Sequence, residues 1–229
     1  MKKDSLDLGA VHIENVTQRR TSVIAAPGWG KSNTLKMLAY KAPVDLPCYI
    51  FDPLGKIEIE GFQLLRITKK TAVDEEQIKK IAVAFRKLND TKIIFSFKEL
   101  LQSEIVLFIN SFFRYWKPKQ HSLVFADEIQ DITPNTHMGQ EYSEEFERAV
   151  RHWRNDDIGW IYATQRPSYC STKVLGLTDM LILGRVSWKQ DVVYVKELLG
   201  NMLTERELDD LIKKIQTKGF LEGYSITFL

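Results

Sequence analysis

The sequence predicts an α/β domain: a mainly parallel central sheet with helices on both faces and a short C-terminal hairpin. Three features of its 229 residues lead there. Strand-like apolar runs alternate with helical patterns along the whole chain, as in βαβ architectures. The runs are almost continuously apolar and rich in Val, Ile and Phe, as expected of strands covered on both faces. One of them leads into a glycine-rich turn and then a helix, at Ala25–Ser32.

Taken in chain order, strands are expected at Ser22–Ala25, Cys48–Phe51, Lys92–Phe97, Leu123–Ala126, Gly159–Ala163 and Met180–Val186. Between them, Asp74 is placed to cap a helix reaching Leu88, and Lys98–Trp116 reads as a long buried helix. Ser143–Trp153 is amphipathic. Thr204 and Glu207 have capping-box spacing for a late helix ending near Lys214, and Lys218–Leu229 reads as a hairpin with Gly223 near its turn. No repeat, low-complexity tract or linker interrupts the chain. The expected organisation is therefore an N-terminal extension over 1–20 and one domain over 21–229.

Bulk properties narrow the function classes. The chain is 44% hydrophobic and 27% charged, an ordinary globular balance. Its 32 basic and 30 acidic residues leave a net charge of +2, too little for passive coating of nucleic acid. Cys48 and Cys170 offer neither a disulfide framework nor metal spacing. His12, His121, His137 and His152 are scattered, which argues against zinc. The N-terminus has no apolar signal segment, and Ile105–Phe113 is too short to span a bilayer, so no membrane span is expected.

The strongest local signal is Ala25-Ala-Pro-Gly-Trp-Gly-Lys-Ser32, a Walker A pattern with Ala in place of the first Gly. Gly28 and Gly30 let the backbone turn its N–H groups toward a β-phosphate. The helix starting near Lys31 adds the positive end of its dipole. Lys31 is expected to neutralise the β- and γ-phosphates and Ser32 to hold Mg²⁺. The nucleotide-binding set is thus Ala26, Pro27, Gly28, Trp29, Gly30, Lys31, Ser32 and Asn33, with ATP as the nucleotide. A GTPase is disfavoured because no Asn-Lys-x-Asp base-reading motif follows.

A second signal, His121-Ser-Leu-Val-Phe-Ala-Asp-Glu128, is an apolar strand ending in two carboxylates. Asp127 is placed to bind Mg²⁺ through water, and Glu128 to orient and deprotonate the attacking water. Two acids after a strand are often no more than the start of a solvated loop. Downstream of a Walker A loop they read as a Walker B pair, and the chain resembles P-loop NTPases of the additional-strand, RecA/FtsK-like type. The strand at Ile158–Thr164 ends in Gln165-Arg-Pro-Ser168, which places Gln165 to sense a γ-phosphate.

Here the sequence resembles the HerA/FtsK superfamily of DNA pumps, and most of all the genome-packaging ATPases of internal-membrane-containing viruses. The resemblance rests on Ala163-Thr-Gln-Arg-Pro-Ser168, on Arg151-His-Trp-Arg154 ahead of that strand, on Cys48–Lys56 (CYIFDPLGK) and on Met180–Asp191 (MLILGRVSWKQD). Two departures stand out: Ala25 at the first loop position, and Asp156-Asp157 where cellular members often carry an aromatic-Gly pair. The short segment ahead of the core favours packaging over repair or conjugation.

The resemblance implies an ATPase driving double-stranded DNA into a preformed capsid. It further implies a homo-oligomeric ring, expected as a hexamer, with capsid or vertex proteins as partners. The expected location is the host cytoplasm or a virion vertex. Family rings place an arginine of one subunit at the neighbour's nucleotide. Arg151 and Arg154, at i, i+3 spacing, are the first candidates; the alternative is salt bridges to Glu144, Glu147 or Asp157. Arg185 is the next, either in trans or in cis near the phosphates, and Arg166 is a further one.

For DNA contact, Arg114–Gln120 is basic and aromatic, but it reads better as a helix end with its aromatics in the core. The loop Gln130–Glu141 is the preferred pore-lining element. Two readings compete with packaging: a cellular or plasmid pump related to conjugation ATPases, and a nucleotide-gated assembly protein. Intact Lys31, Ser32, Asp127 and Glu128 argue against the latter.

Overall fold

A computed structural model describes residues 5–7, 12–88, 91–135, 142–200, 203–217 and 224–227. A two-residue antiparallel pair, β1 (Leu6–Asp7) and β2 (His12–Ile13), precedes the main sheet. That sheet is formed by β3 (Arg20–Ile24), β4 (Cys48–Asp52), β5 (Gln63–Arg66), β6 (Lys92–Ser96), β7 (Ser122–Ala126), β8 (Ile158–Thr164), β9 (Met180–Leu183) and β10 (Tyr224–Thr227). Their spatial order is β10-β9-β3-β8-β7-β4-β6-β5. Every pairing is parallel except β10 against β9, where Tyr224 lies opposite Leu183.

The helices are α1 (Lys31–Lys41), α2 (Lys69–Val73), α3 (Glu75–Arg86), α4 (Gln102–Tyr115), α5 (Glu144–His152), α6 (Thr172–Leu175), α7 (Lys189–Leu199) and α8 (Glu205–Thr217). Alternation along the strands divides their side chains between the two faces of the sheet. Val124 and Ala126 of β7 join Phe108, Phe112 and Phe113 of α4 and Phe146 of α5 on one face. Leu123 and Phe125 join Leu35 and Leu38 of α1 on the other, together with Leu6, Ile13 and Val16. On the first face the aromatics interlock. Phe51 stacks on Phe95 with centroids 4.8 Å apart, and Phe112 meets Trp116 at 4.9 Å. Such pairs add about 0.5–1.5 kcal/mol each beyond area burial.

All six expected strands are present. β5 was not anticipated: it is a sheet-edge strand of mostly exposed residues (Gln63-Leu-Leu-Arg66) with no apolar run to mark it. The buried helix expected over 98–116 is shorter, because Phe97 to Leu100 turns tightly and Leu101 N–H donates to Glu104 Oε2 at 2.7 Å to start α4. Asp74 caps α3 through Gln77 N–H at 3.0 Å, as expected. Thr204 and Glu207 form the expected box, and α8 runs on to Thr217. α7 had no forecast. Of the C-terminal hairpin, β10 is the described part; Lys218–Gly223 lie outside the described residues. No described helix is long and apolar enough to cross a membrane.

Candidate functional site

Parallel strands deliver the loops that follow them to one edge of the sheet. β8 lies between β3, which feeds the glycine-rich loop, and β7, which carries the two acids. That intervening strand defines the additional-strand arrangement the sequence predicts. At this edge a cleft of about 300 Å³ is lined by Ala26, Pro27, Gly28, Gly30, Lys31, Ser32 and Asn33, with Leu54, Lys56, Glu128 and Gln165.

The loop is held from both sides. Ala25 N–H donates to Thr164 O of β8 at 3.3 Å, and Ala26 N–H to Arg185 O, beyond β9, at 2.6 Å. Gly28 and Gly30 take left-handed φ values of 80° and 78°, conformations that cost other residues about 1–2 kcal/mol. Gly30 then caps α1 and sets Lys31 at its first turn.

Lys31 is only 6% exposed. Its Nζ donates to Asp127 Oδ1 at 2.8 Å and to Glu128 Oε1 at 2.7 Å. Burial acts to lower its pKa, but the charges of Asp127 and Glu128 and their hydrogen bonds carry it above the ordinary lysine value. An ammonium has three N–H donors, so one remains for a phosphate oxygen.

Ser32 Oγ donates to Asp127 Oδ2 at 2.7 Å, setting a hydroxyl and a carboxylate oxygen side by side next to the loop. Among the described residues no group of three or more His, Cys, Asp or Glu side chains could hold a metal. A pair of hard oxygens fits Mg²⁺, which takes one or two protein ligands and completes its octahedron with water and phosphate.

Glu128 has a left-handed φ of 44°, an uncommon conformation for a non-glycine residue and a strain of about 1–3 kcal/mol of the kind that clusters at functional sites. It places Glu128 N–H on Asp127 Oδ1 at 2.9 Å. Gln130 Nε2 donates to Glu128 Oε2 at 2.7 Å, and Gln130 Oε1 accepts from Thr164 Oγ1 at 2.6 Å. Two further carboxylates stand nearby. Burial, then the charges of Glu128 and Asp127, raise the Asp131 pKa to about 6. Asp52 is fully buried and also raised, chiefly by burial.

The structure thus brings Lys31, Ser32, Asn33, Asp127, Glu128 and Gln165 together, with Asp127 buried behind the cleft wall. Trp29 and Arg185 stand beside the cleft and are not among its lining residues. The Arg185 guanidinium lies 5.9 Å from the Trp29 ring centroid, and its Nε donates to Gln216 Oε1 at 3.2 Å. Arg166 is a clamp within its own chain. Its Nε donates to Asp191 Oδ2 at 3.1 Å, and its guanidinium sits 4.2 Å from the Tyr169 centroid and 4.1 Å from that of Trp188.

Arg151 and Arg154 do not share one helix face, because α5 ends at His152 and Arg154 falls in the following 3-10 turn (Trp153–Asp156). Arg151 pairs with Glu147 at 3.1 Å and Arg154 with Asp179 at 3.2 Å. Arg154 precedes β8, so a strand of about 20 Å separates it from its own cleft.

In the basic–aromatic segment, Trp116 is buried, Arg114 and Tyr115 engage Glu75, and Lys117 pairs with Asp156, as the helix-end reading requires. The loop at Gln130–Glu141 begins inside the fold. Asn135 N–H donates to Tyr169 O at 2.7 Å, while residues 136–141, His137 included, lie outside the described residues. The sequence reading missed Gln130 and Lys56. Gln130 stands two residues after Glu128, and Lys56 ends a turn leaving β4 at the same edge as the glycine-rich loop; neither belongs to a motif, and the sheet order is what brings them to this site.

No family model matches the chain, and no curated protein does. Solved structures do. The genome packaging NTPase B204 from Sulfolobus turreted icosahedral virus 2, in complex with AMP, superposes with a TM-score of 0.57 at 12% identity, over 92% of this chain and 93% of that one. B204 from Sulfolobus turreted icosahedral virus, described as a DNA-packaging ATPase, gives 0.51 at 14% identity over 89% of each chain. The bacterial conjugative coupling protein TrwBdeltaN70 gives 0.66 at 11% identity, over 99% of this chain and 86% of that one. B204 from Sulfolobus turreted icosahedral virus 2 is also known with AMPPCP and with ATP-gammaS. At these identities the likeness concerns the fold, which is that of P-loop NTPases of the FtsK and TrwB type.

Proposed function

We propose, from the premise of that P-loop NTPase fold, that this chain is an ATPase that translocates double-stranded DNA and packages a viral genome into a preformed capsid. The observation that carries the hydrolytic part is the meeting of Lys31, Ser32, Asp127, Glu128 and Gln165 at one sheet edge, on three adjacent strands and the glycine-rich loop. A pure nucleotide switch has no need of Glu128 on the phosphate side of the Walker B acid.

In the reaction, backbone N–H groups of Gly28–Ser32 and the start of α1 hold the phosphates, and Lys31 offsets their charge. Glu128 takes a proton from water as its oxygen bonds to the γ-phosphorus and the bridging bond to ADP breaks. Gln165 contacts the γ-phosphate and reports its loss to β8. Ser32 and Asp127 would hold Mg²⁺, which would supply neutralisation of phosphate charge.

The DNA part is supported by the fold neighbours and by the Ala163–Ser168 segment. A ring of copies, proposed as a hexamer, multiplies the few phosphate contacts that a net charge of +2 allows each subunit. Capsid or vertex proteins are the proposed partners, at a virion vertex or in the host cytoplasm. A conjugation-type DNA pump is the second reading, favoured by the TM-score of 0.66 with the coupling protein.

Steady-state ATP hydrolysis with and without long duplex DNA tests the proposal, with Glu128→Gln as the blank. Stimulation by DNA that vanishes in the variant is expected. Turnover indifferent to DNA would overturn the translocase reading and leave an assembly ATPase. An encoded capsid protein or relaxase beside this gene separates packaging from conjugation.

A further inference from the structure

The turn Asp52-Pro-Leu-Gly-Lys56 leaves β4 at the same sheet edge as the glycine-rich loop, and its shape is fixed from within. Asp52 Oδ2 accepts Ile57 N–H at 2.6 Å, and Asp52 O accepts Gly55 N–H at 3.3 Å. Gly55 has a φ of 61°, and a Cβ there would fall 2.5 Å from Lys98 Cβ and 2.8 Å from Ser96 Oγ. Both conformation and space favour glycine alone at this position of the turn. Held this way, it presents Leu54 and Lys56 as lining of the cleft that Lys31, Glu128 and Gln165 also line. Lys56 is exposed and forms no ion pair among the described residues.

Charge gives that placement a meaning. Lys31 shares its ammonium between Asp127 and Glu128. These three groups alone leave the phosphate end of the cleft with one more carboxylate than cation. A triphosphate is a polyanion, and Lys56 is the remaining charged residue of the lining. We propose that Lys56 is a second phosphate-binding cation, contacting the terminal phosphate of a nucleoside triphosphate. It favours triphosphate over diphosphate and offsets the charge on the γ-phosphoryl oxygens during in-line attack. This assignment rests on the nucleotide reading of the same cleft.

The test uses the full chain as Lys56→Ala, Lys56→Arg and Lys31→Ala. Calorimetry in Mg²⁺ measures ADP and ATP-gammaS affinities, alongside steady-state ATP turnover. For Lys56→Ala, ADP affinity is expected to hold within about twofold while ATP-gammaS binding weakens about tenfold, the scale of one charge-assisted contact. Turnover falls in parallel, and Lys56→Arg recovers most of both. An unchanged ratio of the two affinities in Lys56→Ala, with Lys31→Ala losing both nucleotides, overturns the Lys56 assignment and leaves the nucleotide site standing. If the wild-type chain binds neither nucleotide, the site reading and this inference fall together.

Discussion

Gln130 Nε2 donates to Glu128 Oε2 at 2.7 Å, on the oxygen that Lys31 does not use. The other end of the same amide accepts Thr164 Oγ1–H at 2.6 Å, and Thr164 Oγ1 in turn accepts Arg166 N–H at 3.0 Å. Glu128, the proposed general base two residues beyond β7, is therefore tied to the end of β8, the strand that leads into Gln165. A side chain with one donor end and one acceptor end is what this bridge needs, and glutamine supplies both.

Gln130→Leu is one atom shorter, of similar bulk, and has no polar atom to offer either partner. Glu128 then loses the contact that fixes its second oxygen, and a base displaced by about 1 Å can cost a hundredfold in turnover. The expected result is kcat lower by about ten- to a hundredfold with KM for ATP within about threefold. A KM defect with unchanged kcat would show that Gln130 serves binding and does not position the base.

Asp131 makes stability depend on pH. Its pKa in the fold is about 6 against 3.8 for a free side chain, so the folded chain holds this proton more tightly than the unfolded one. The associated stability is complete below pH 3.8 and is lost as pH rises through about 6. Asp131→Asn removes that loss. With partial exposure discounted, the variant is expected to gain about 1 kcal/mol over wild type near pH 7.5 and almost nothing near pH 4. Urea melts at both pH values in Mg²⁺-free buffer measure it, and an equal change at each would rule the mechanism out.

Gly159 lies in β8, where a Cβ would stand 2.0 Å from Val16 O and 2.8 Å from Thr17 Cα. Both neighbours are backbone of the 3-10 turn Val16–Gln18 and cannot swing aside. Gly159→Ala should destabilise by about 3 kcal/mol or more, seen as a lower Tm or as insoluble protein. Gly61→Ala is the control. Its φ is 82° with nothing within 4 Å, so only about 1 kcal/mol of backbone strain is expected.

Legibility in the sequence followed the strength of the local physics. The central strands and the glycine-rich loop could be read because buried parallel strands must be apolar throughout and a phosphate loop needs its glycines. Gln63–Arg66 could not, since a sheet-edge strand buries too little to impose a pattern. Lys31, Ser32, Asp127 and Glu128 were legible as motifs. Gln130 and Lys56 were not, because their roles arise from β4, β7 and β8 sharing an edge, and only sheet order reveals that. Arg151 and Arg154 do not share a face because helical spacing does not hold for the two residues past the end of α5.

Arg154 is expected to act on a neighbouring subunit. It lies about a strand's length from its own cleft, so it cannot touch its own phosphates. Its partner Asp179 is also held by Arg20, through Nε at 3.0 Å and Nη2 at 3.1 Å, so Arg154 can leave without stranding a carboxylate. Arg151 is similarly dispensable to Glu147, which keeps Lys173 at 3.6 Å. Arg154→Ala should lower turnover about a thousandfold, within the range of trans-acting arginines, while the monomer melts as wild type. Mixing decides whether the effect crosses subunits. In a mixed ring of Arg154→Ala and Glu128→Gln chains, some clefts join an intact Glu128 to a neighbour's intact Arg154. The mixture should then hydrolyse ATP faster than either parent at equal total protein. If no ratio of the two exceeds the better parent, Arg154 is a structural partner of Asp179, and the same experiment with Arg151→Ala tests the remaining candidate.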